Sequence, residues 1–138
     1  MEVFNSGSSK VYIFDLDDTL YLRKVDNEYK KMYEFELVKF LNKLKKNNIL
    51  AIASHNMSPR YFLRNMNIDT YFDYIIGEYP RKKSDMIIEI LKNVNKVKED
   101  VIFFDDLDFN IIECKKNGIK SIKVDFKKGI EFKKFELN

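Results

Sequence analysis

Cysteine occurs once in the 138 residues, at Cys114, so no disulfide can form within the chain, and a reducing compartment is implied. Proline and glycine are sparse, at two and four residues, and no linker-like stretch divides the chain. No apolar run is long enough to span a bilayer, and the first nine residues lack the basic region and apolar stretch of a secretory signal. The expectation is a soluble cytoplasmic protein with no membrane partner. Neither sign of charge dominates: 25 Lys and Arg against 22 Asp and Glu leave a net charge of +3. That weak balance admits an acidic partner such as nucleic acid without requiring one. Hydrophobic residues make up 45% of the chain, enough for one core at a length that suits one domain. We read residues 1–9 as a flexible leader and residues 10–138 as a single catalytic domain.

Short apolar runs alternate with helical periods. Strands are expected at 10–14, 49–53, 73–76, 101–104 and 120–124. Helices are expected at 32–46, with Phe35, Val38, Leu41 and Leu44 on one face, and from Ser58-Pro59 to about residue 65. Two more are expected at 84–93, with Met86, Ile87, Ile90 and Leu91 inward, and at 109–117, stopped by Gly118. Residues 21–31 read as an irregular flap, and the tail holds a short last helix around Ile130, Phe132 and Phe135. Strict alternation of strand and helix predicts a parallel five-stranded sheet with helices on both faces, because the strands are apolar on both sides.

Polar residues collect at one edge of that sheet. Asp15-Leu16-Asp17-Asp18-Thr19-Leu20 follows the run Val11-Tyr12-Ile13-Phe14 directly. Carboxylates crowded at a strand end disfavour one another's ionisation, and a dication with a preference for hard oxygen ligands resolves the conflict. Ser54, Asp105 and Asp106 also sit just past strand C-termini, the edge where open parallel sheets bind ligands. Arg81-Lys82-Lys83 brings positive charge to the same edge. Acids, a hydroxyl and a cation together equip a site for a phosphate monoester beside Mg²⁺.

On these four stretches, in this order, the chain resembles the haloacid dehalogenase superfamily in its phosphatase branch. It is most similar to the small magnesium-dependent phosphatases that lack a cap, through Tyr79-Pro80-Arg81-Lys82-Lys83 and the run Ile102-Phe103-Phe104-Asp105-Asp106-Leu107-Asp108-Phe109-Asn110-Ile111. The resemblance implies a three-layer α/β/α Rossmann-like fold and a Mg²⁺-dependent phosphomonoester hydrolase that works through an aspartyl-phosphate. It implies Asp15 as nucleophile and Asp17 as general acid and base. The metal ligands would be the side chains of Asp15 and Asp106 and the backbone carbonyl of Asp17. Ser54 and Lys83 would bind phosphate, with Lys82 the alternative lysine. Asp105 is assigned a supporting contact, Asn110 the orientation of the lysine, and Thr19 the fixing of the turn.

His55 reads either as a substrate contact or as a loop histidine without catalytic duty. Cys114 reads as a packed, inert thiol. Tyr21, Tyr29, Tyr33 and Tyr79 are candidates to line the entrance. Residues 20–49 and 54–83 leave no room for an inserted cap domain, so the site should be open. An open site suits a phosphoprotein or a nucleic-acid end; a small sugar phosphate would need a lid from another copy, and monomer and homo-oligomer both remain open. Two other readings stand beside this one. One is a catalytically weak phosphate- or partner-binding module on the same fold. The other is a receiver domain, which would need an acid after the third strand, where Gly77 stands instead.

Overall fold

The computed structural model describes residues 2–4 and 9–137. In chain order the elements are β1 (Glu2–Phe4), β2 (Val11–Phe14), α1 (Asn27–Lys45), β3 (Ile49–Ser54), α2 (Pro59–Asn65), β4 (Tyr74–Gly77), α3 (Lys83–Val94), β5 (Val101–Asp105), α4 (Asp108–Lys116), β6 (Lys120–Lys123) and β7 (Phe135–Leu137). Of the leader expected over residues 1–9, positions 1 and 5–8 lie outside the described residues; Glu2–Phe4 pairs in parallel with Phe135–Leu137.

The five strands read from the sequence form one parallel sheet in the order β4-β3-β2-β5-β6. Side-chain alternation along the strands divides the interior into two cores. Tyr12 and Phe14 of β2 face α1 and α2 with Leu37, Leu41, Leu44 and Leu63. Val11 and Ile13 face α3 and α4 with Met86, Ile87, Ile90 and Cys114. The result is a three-layer α/β/α Rossmann-like domain. Only α1 and its approach separate β2 from β3, and only α2 and a 3-10 turn separate β3 from β4, so no cap domain is inserted. No helix among the described residues is long and apolar enough to cross a membrane.

Three local expectations are corrected. The first helix starts at Asn27 rather than residue 32: Asp26 caps it by accepting the Tyr29 amide at 2.8 Å, so a polar first turn is helical although it has no apolar period. The flap is correspondingly shorter. The buried face of α1 is Tyr33, Leu37, Phe40, Leu41 and Leu44, and Phe35 is 63% exposed. In the tail, Phe132–Lys134 is a single 3-10 turn leading into β7; Ile130 and Phe135 pack on the α1 side of the sheet.

β2 and β5 are neighbours whose onward connections diverge, β2 toward β3 and β5 toward β6. That divergence opens a crevice at the C-terminal edge, between the loops after β2 and β5.

Candidate active site

The turn after β2 is fixed by its own backbone. The Asp15 amide donates to Phe104 O at 2.9 Å, prolonging the β2–β5 ladder by one residue. The amides of Thr19, Leu20 and Tyr21 converge on Leu16 O at 3.2, 3.0 and 2.9 Å. Leu16 and Leu20 are fully buried and anchor this loop in the core. Asp18 takes the left-handed conformation at φ 64°, which aspartate tolerates better than most residues. Its buried carboxylate accepts from Arg23 Nε, Nη2 and the backbone N–H at 3.2, 2.6 and 3.1 Å. Burial would raise the Asp18 carboxyl, but the Arg23 hydrogen bonds outweigh it and hold it below the usual carboxylate range. Asp15, Asp17 and Asp18 line the crevice, the carboxylate of Asp18 being taken up by Arg23.

Of Lys82 and Lys83, it is Lys83 that lines the crevice. Its Nζ donates to Asp15 Oδ1, Asp105 Oδ2 and Ala53 O, each at 2.9 Å, and the residue is 1% exposed. Lys82, its neighbour, is exposed at the start of α3 and does not line the crevice. Burial alone would drive the Lys83 ammonium toward neutrality, but Asp15 and Asp105 reverse this and hold its pKa above that of an ordinary lysine. Asp105 is saturated: Oδ2 also accepts from Asn110 Nδ2 at 3.1 Å, and Oδ1 accepts the Leu107 amide at 2.9 Å. Asn110 therefore holds Asp105 rather than the lysine itself. Thr19 Oγ1 donates to Asp15 Oδ2 at 3.3 Å.

Carboxylate oxygens of Asp15, Asp105 and Asp106 lie within 4.8 Å of one another. Three acids meet one ammonium, leaving an excess of negative charge. Burial pushes the Asp15 carboxyl well above its ordinary value, with Lys83 opposing and Asp105 reinforcing the rise. Burial raises half-buried Asp106 in the same direction, eased by its hydrogen bond to Asp15. Asp105 is fully buried and accepts three hydrogen bonds, whereas Asp15 and Asp106 line the cavity, so these two are the side chains of the group placed to meet an ion there. A hard dication matches both their chemistry and the missing charge.

Ser54 ends β3 and is buried, with its Oγ accepting the Asn56 amide at 3.0 Å. Gly77, its partner in β4, has no room for a Cβ, which would strike Asn56 O and the Pro59 ring. His55 is tied down: Nε2 contacts Arg81 O at 2.6 Å, and the ring meets Tyr79 edge-on. The crevice is a cavity of about 450 Å³ whose lining includes Asp15, Asp17, Ser54, His55, Lys83, Asp106 and Asn110. None of the four tyrosines expected at the entrance lines it. Tyr33 is buried under the turn, donating to Thr19 O at 2.6 Å, and Tyr21 stacks obliquely on Phe62. Sequence reasoning missed Asn56, whose Nδ2 donates to Asp17 Oδ2 at 3.3 Å, and Arg23 and Lys24 on the cavity wall. Asn56 carried a signal, standing two residues past the phosphate-binding candidate Ser54.

The sequence model of the haloacid dehalogenase-like hydrolases matches residues 20–124, three quarters of the chain. The chain belongs to this family. The match takes in Ser54, Lys83, Asp105 and Asp106 and begins one residue past Thr19. No curated protein matches the chain. Among solved structures, a haloacid dehalogenase-like hydrolase from Streptococcus pneumoniae is similar with a TM-score of 0.68 at 17% identity, over 89% of this chain and 88% of that one. A predicted phosphatase from Clostridium acetobutylicum is similar with a TM-score of 0.65 at 19% identity, over 96% and 94%. The N-terminal part of a Bacteroides fragilis protein, containing a phosphatase domain complexed with Mg, reaches a TM-score of 0.72 at 20% identity, over 88% of this chain and 38% of that one. At these identities the likenesses speak for the family's fold.

Proposed function

We propose that this member of the family is a Mg²⁺-dependent phosphomonoesterase that passes the phosphoryl group through Asp15. The observation that carries the reading is the Asp15 carboxylate, tethered to Lys83 at 2.9 Å and to Thr19 at 3.3 Å, opening on a cavity that also holds Asp17, Ser54 and Asp106. The Mg-bound relative from Bacteroides fragilis supports the choice of ion.

Asp15 and Asp106, with the backbone carbonyl of Asp17, would hold Mg²⁺, which supplies charge neutralisation so that one anion can approach another. Asp15 attacks phosphorus, and Lys83 and Ser54 bind the phosphate oxygens. Asp105 and Ala53 O hold the Lys83 ammonium in place, and the donor it now gives to Asp15 is the one that would turn to the phosphate. Asp17 lines the same cavity and is steadied by Asn56. It protonates the departing ester oxygen, then takes a proton from the water that releases phosphate from Asp15. Without a cap, the mouth of the cavity admits a bulky leaving group.

The test is release of inorganic phosphate from p-nitrophenyl phosphate by the purified protein, with Mg²⁺ and with chelator. Turnover that needs Mg²⁺ and disappears in Asp15→Asn is expected. Full turnover in Asp15→Asn, or in excess chelator, overturns the reading.

A further inference from the structure

The cavity does not end at the acids. Its wall continues through Arg23, Lys24, Lys123 and Phe126, and its 450 Å³ far exceeds what a phosphate group needs. Phe126 is half-buried beneath two cations: Lys24 Nζ lies 4.9 Å from its ring centroid and Lys127 Nζ 5.7 Å. Arg23 and Lys123 spend their charge on Asp18 and Asp108. Lys24 and Lys127 form no ion pair among the described residues.

The turn that presents Phe126 is held on several sides. The Val124 amide donates to Asp105 O at 2.8 Å, and the Gly129 amide closes onto Asp125 O at 2.7 Å. The Asp125 side chain accepts the Lys127 amide at 2.8 Å. From α1, Tyr29 OH donates to Lys128 O at 2.8 Å and Tyr33 OH accepts the Ile130 amide at 2.9 Å. An aromatic ring flanked by unpaired ammoniums on a braced loop is the means by which proteins hold single-stranded nucleic acid: the ring stacks a base and the cations follow the backbone.

We propose that the leaving group is a nucleic-acid end, with its terminal base against Phe126 and the next phosphate between Lys24 and Lys127. The proposal rests on the phosphomonoesterase reading and names its substrate. The reaction is RO–PO₃²⁻ + H₂O → RO–H + HPO₄²⁻. The terminal P–O ester bond breaks, the phosphoryl group passes to Asp15 and then to water, and the freed nucleoside hydroxyl receives its proton from Asp17. A phosphopeptide needs no second anion site next to an aromatic ring, and a sugar phosphate offers no planar face to stack.

The test separates binding from turnover. Oligothymidylates phosphorylated at the 3′ or the 5′ end, with a fluorophore at the opposite end, are titrated with Asp15→Asn protein in Mg²⁺ and followed by anisotropy. In parallel, kcat/KM of the wild-type chain is compared for the same oligonucleotides, a phosphotyrosine peptide, glucose 6-phosphate and p-nitrophenyl phosphate. Salt-sensitive binding is expected, weakened about tenfold by Phe126→Ala or by the surface variant Lys24→Glu. The ratio of oligonucleotide to aryl-phosphate kcat/KM should fall by a similar factor in either variant. Binding that persists and depends on Phe126, without hydrolysis of any compound, upholds the subsite and refutes the phosphomonoesterase reading. Hydrolysis of aryl phosphate with a preference for the peptide or the sugar, or oligonucleotide binding indifferent to both variants, overturns the subsite.

Discussion

Lys83 Nζ and Asp105 Oδ2 lie 2.9 Å apart at the centre of the C-terminal edge, with 1% and 0% of their side chains exposed. Asp106, the next residue, is half-exposed and faces the cavity. Adjacent aspartates thus do different work. Removing one partner of a buried pair strands the other, at a cost of about 3–5 kcal/mol. Lys83→Ala, which leaves both Asp15 and Asp105 without their ammonium, should lose that much in urea unfolding with chelator present. Asp106→Ala removes a half-exposed acid, and the loss of its hydrogen bond to Asp15 is offset by the loss of a like charge there, so its unfolding free energy should change far less, by no more than about 1 kcal/mol. It should instead abolish the rise in Tm that added Mg²⁺ produces. Similar losses of stability in the two variants would refute this division.

Asp15 and Asp17 should separate kinetically. Asp15→Asn removes the attacking atom and leaves no turnover. Asp17→Asn keeps the nucleophile and removes proton transfer, which is worth about 10²–10⁴ in rate. A substrate whose leaving group needs no proton, such as a dinitrophenyl phosphate, should recover part of the first step in Asp17→Asn and none in Asp15→Asn. Burst kinetics with that substrate are the measurement. Equal rescue of both variants would remove the distinction.

The sheet was legible because its strands are covered on both faces and so are written as continuous apolar runs. The gathering of acids at one sheet edge was legible because they stand where those runs stop. Helical register was harder. Phe35 and Phe40 are equally apolar in the sequence, yet one is 63% and the other 5% exposed. Phe40 packs on Phe132 and Phe135, which come from the far end of the chain. On α4 the same ambiguity leaves Ile112 outside and Ile111 inside. The pairing of Glu2–Phe4 with Phe135–Leu137 joins opposite ends of the chain and has no local signature. Ser58 has the cap position of α2 but makes no side-chain cap bond; Asn56 Oδ1 accepts its amide instead, at 2.8 Å. That substitution is invisible until the loop after β3 is seen to fold back over Gly77.

Tyr33 OH joins two loops of the site, donating to Thr19 O at 2.6 Å and accepting the Ile130 amide at 2.9 Å. Tyr33→Phe keeps the ring and leaves both backbone groups buried without a partner. The expected cost is about 1–3 kcal/mol in chemical unfolding. Activity should also fall, because Thr19 belongs to the turn that carries Asp15 and Asp17. A variant as stable as wild type would show that water replaces the hydroxyl without loss.

Cys114 is fully buried on α4 among Val101, Phe103 and the α3 residues, and burial, reinforced by Glu113, pushes its thiol up to about 12. The folded protein should therefore hold a neutral thiol at pH 8–9, where an unfolded chain begins to ionise it. The folded state binds the proton more tightly, so this contribution to stability is complete below the unfolded value near 8.5. It declines as pH rises from there toward the folded value. Alkylation by iodoacetamide at pH 8.5 should be slow in the native protein and should accelerate in urea in step with unfolding, since the thiolate is the reactive form. Replacing the thiol with alanine should flatten the fall in unfolding free energy between pH 8.5 and 10. If the native thiol alkylates at the rate of a free one, Cys114 is not packed between α4 and the sheet, and the second core is open at that point.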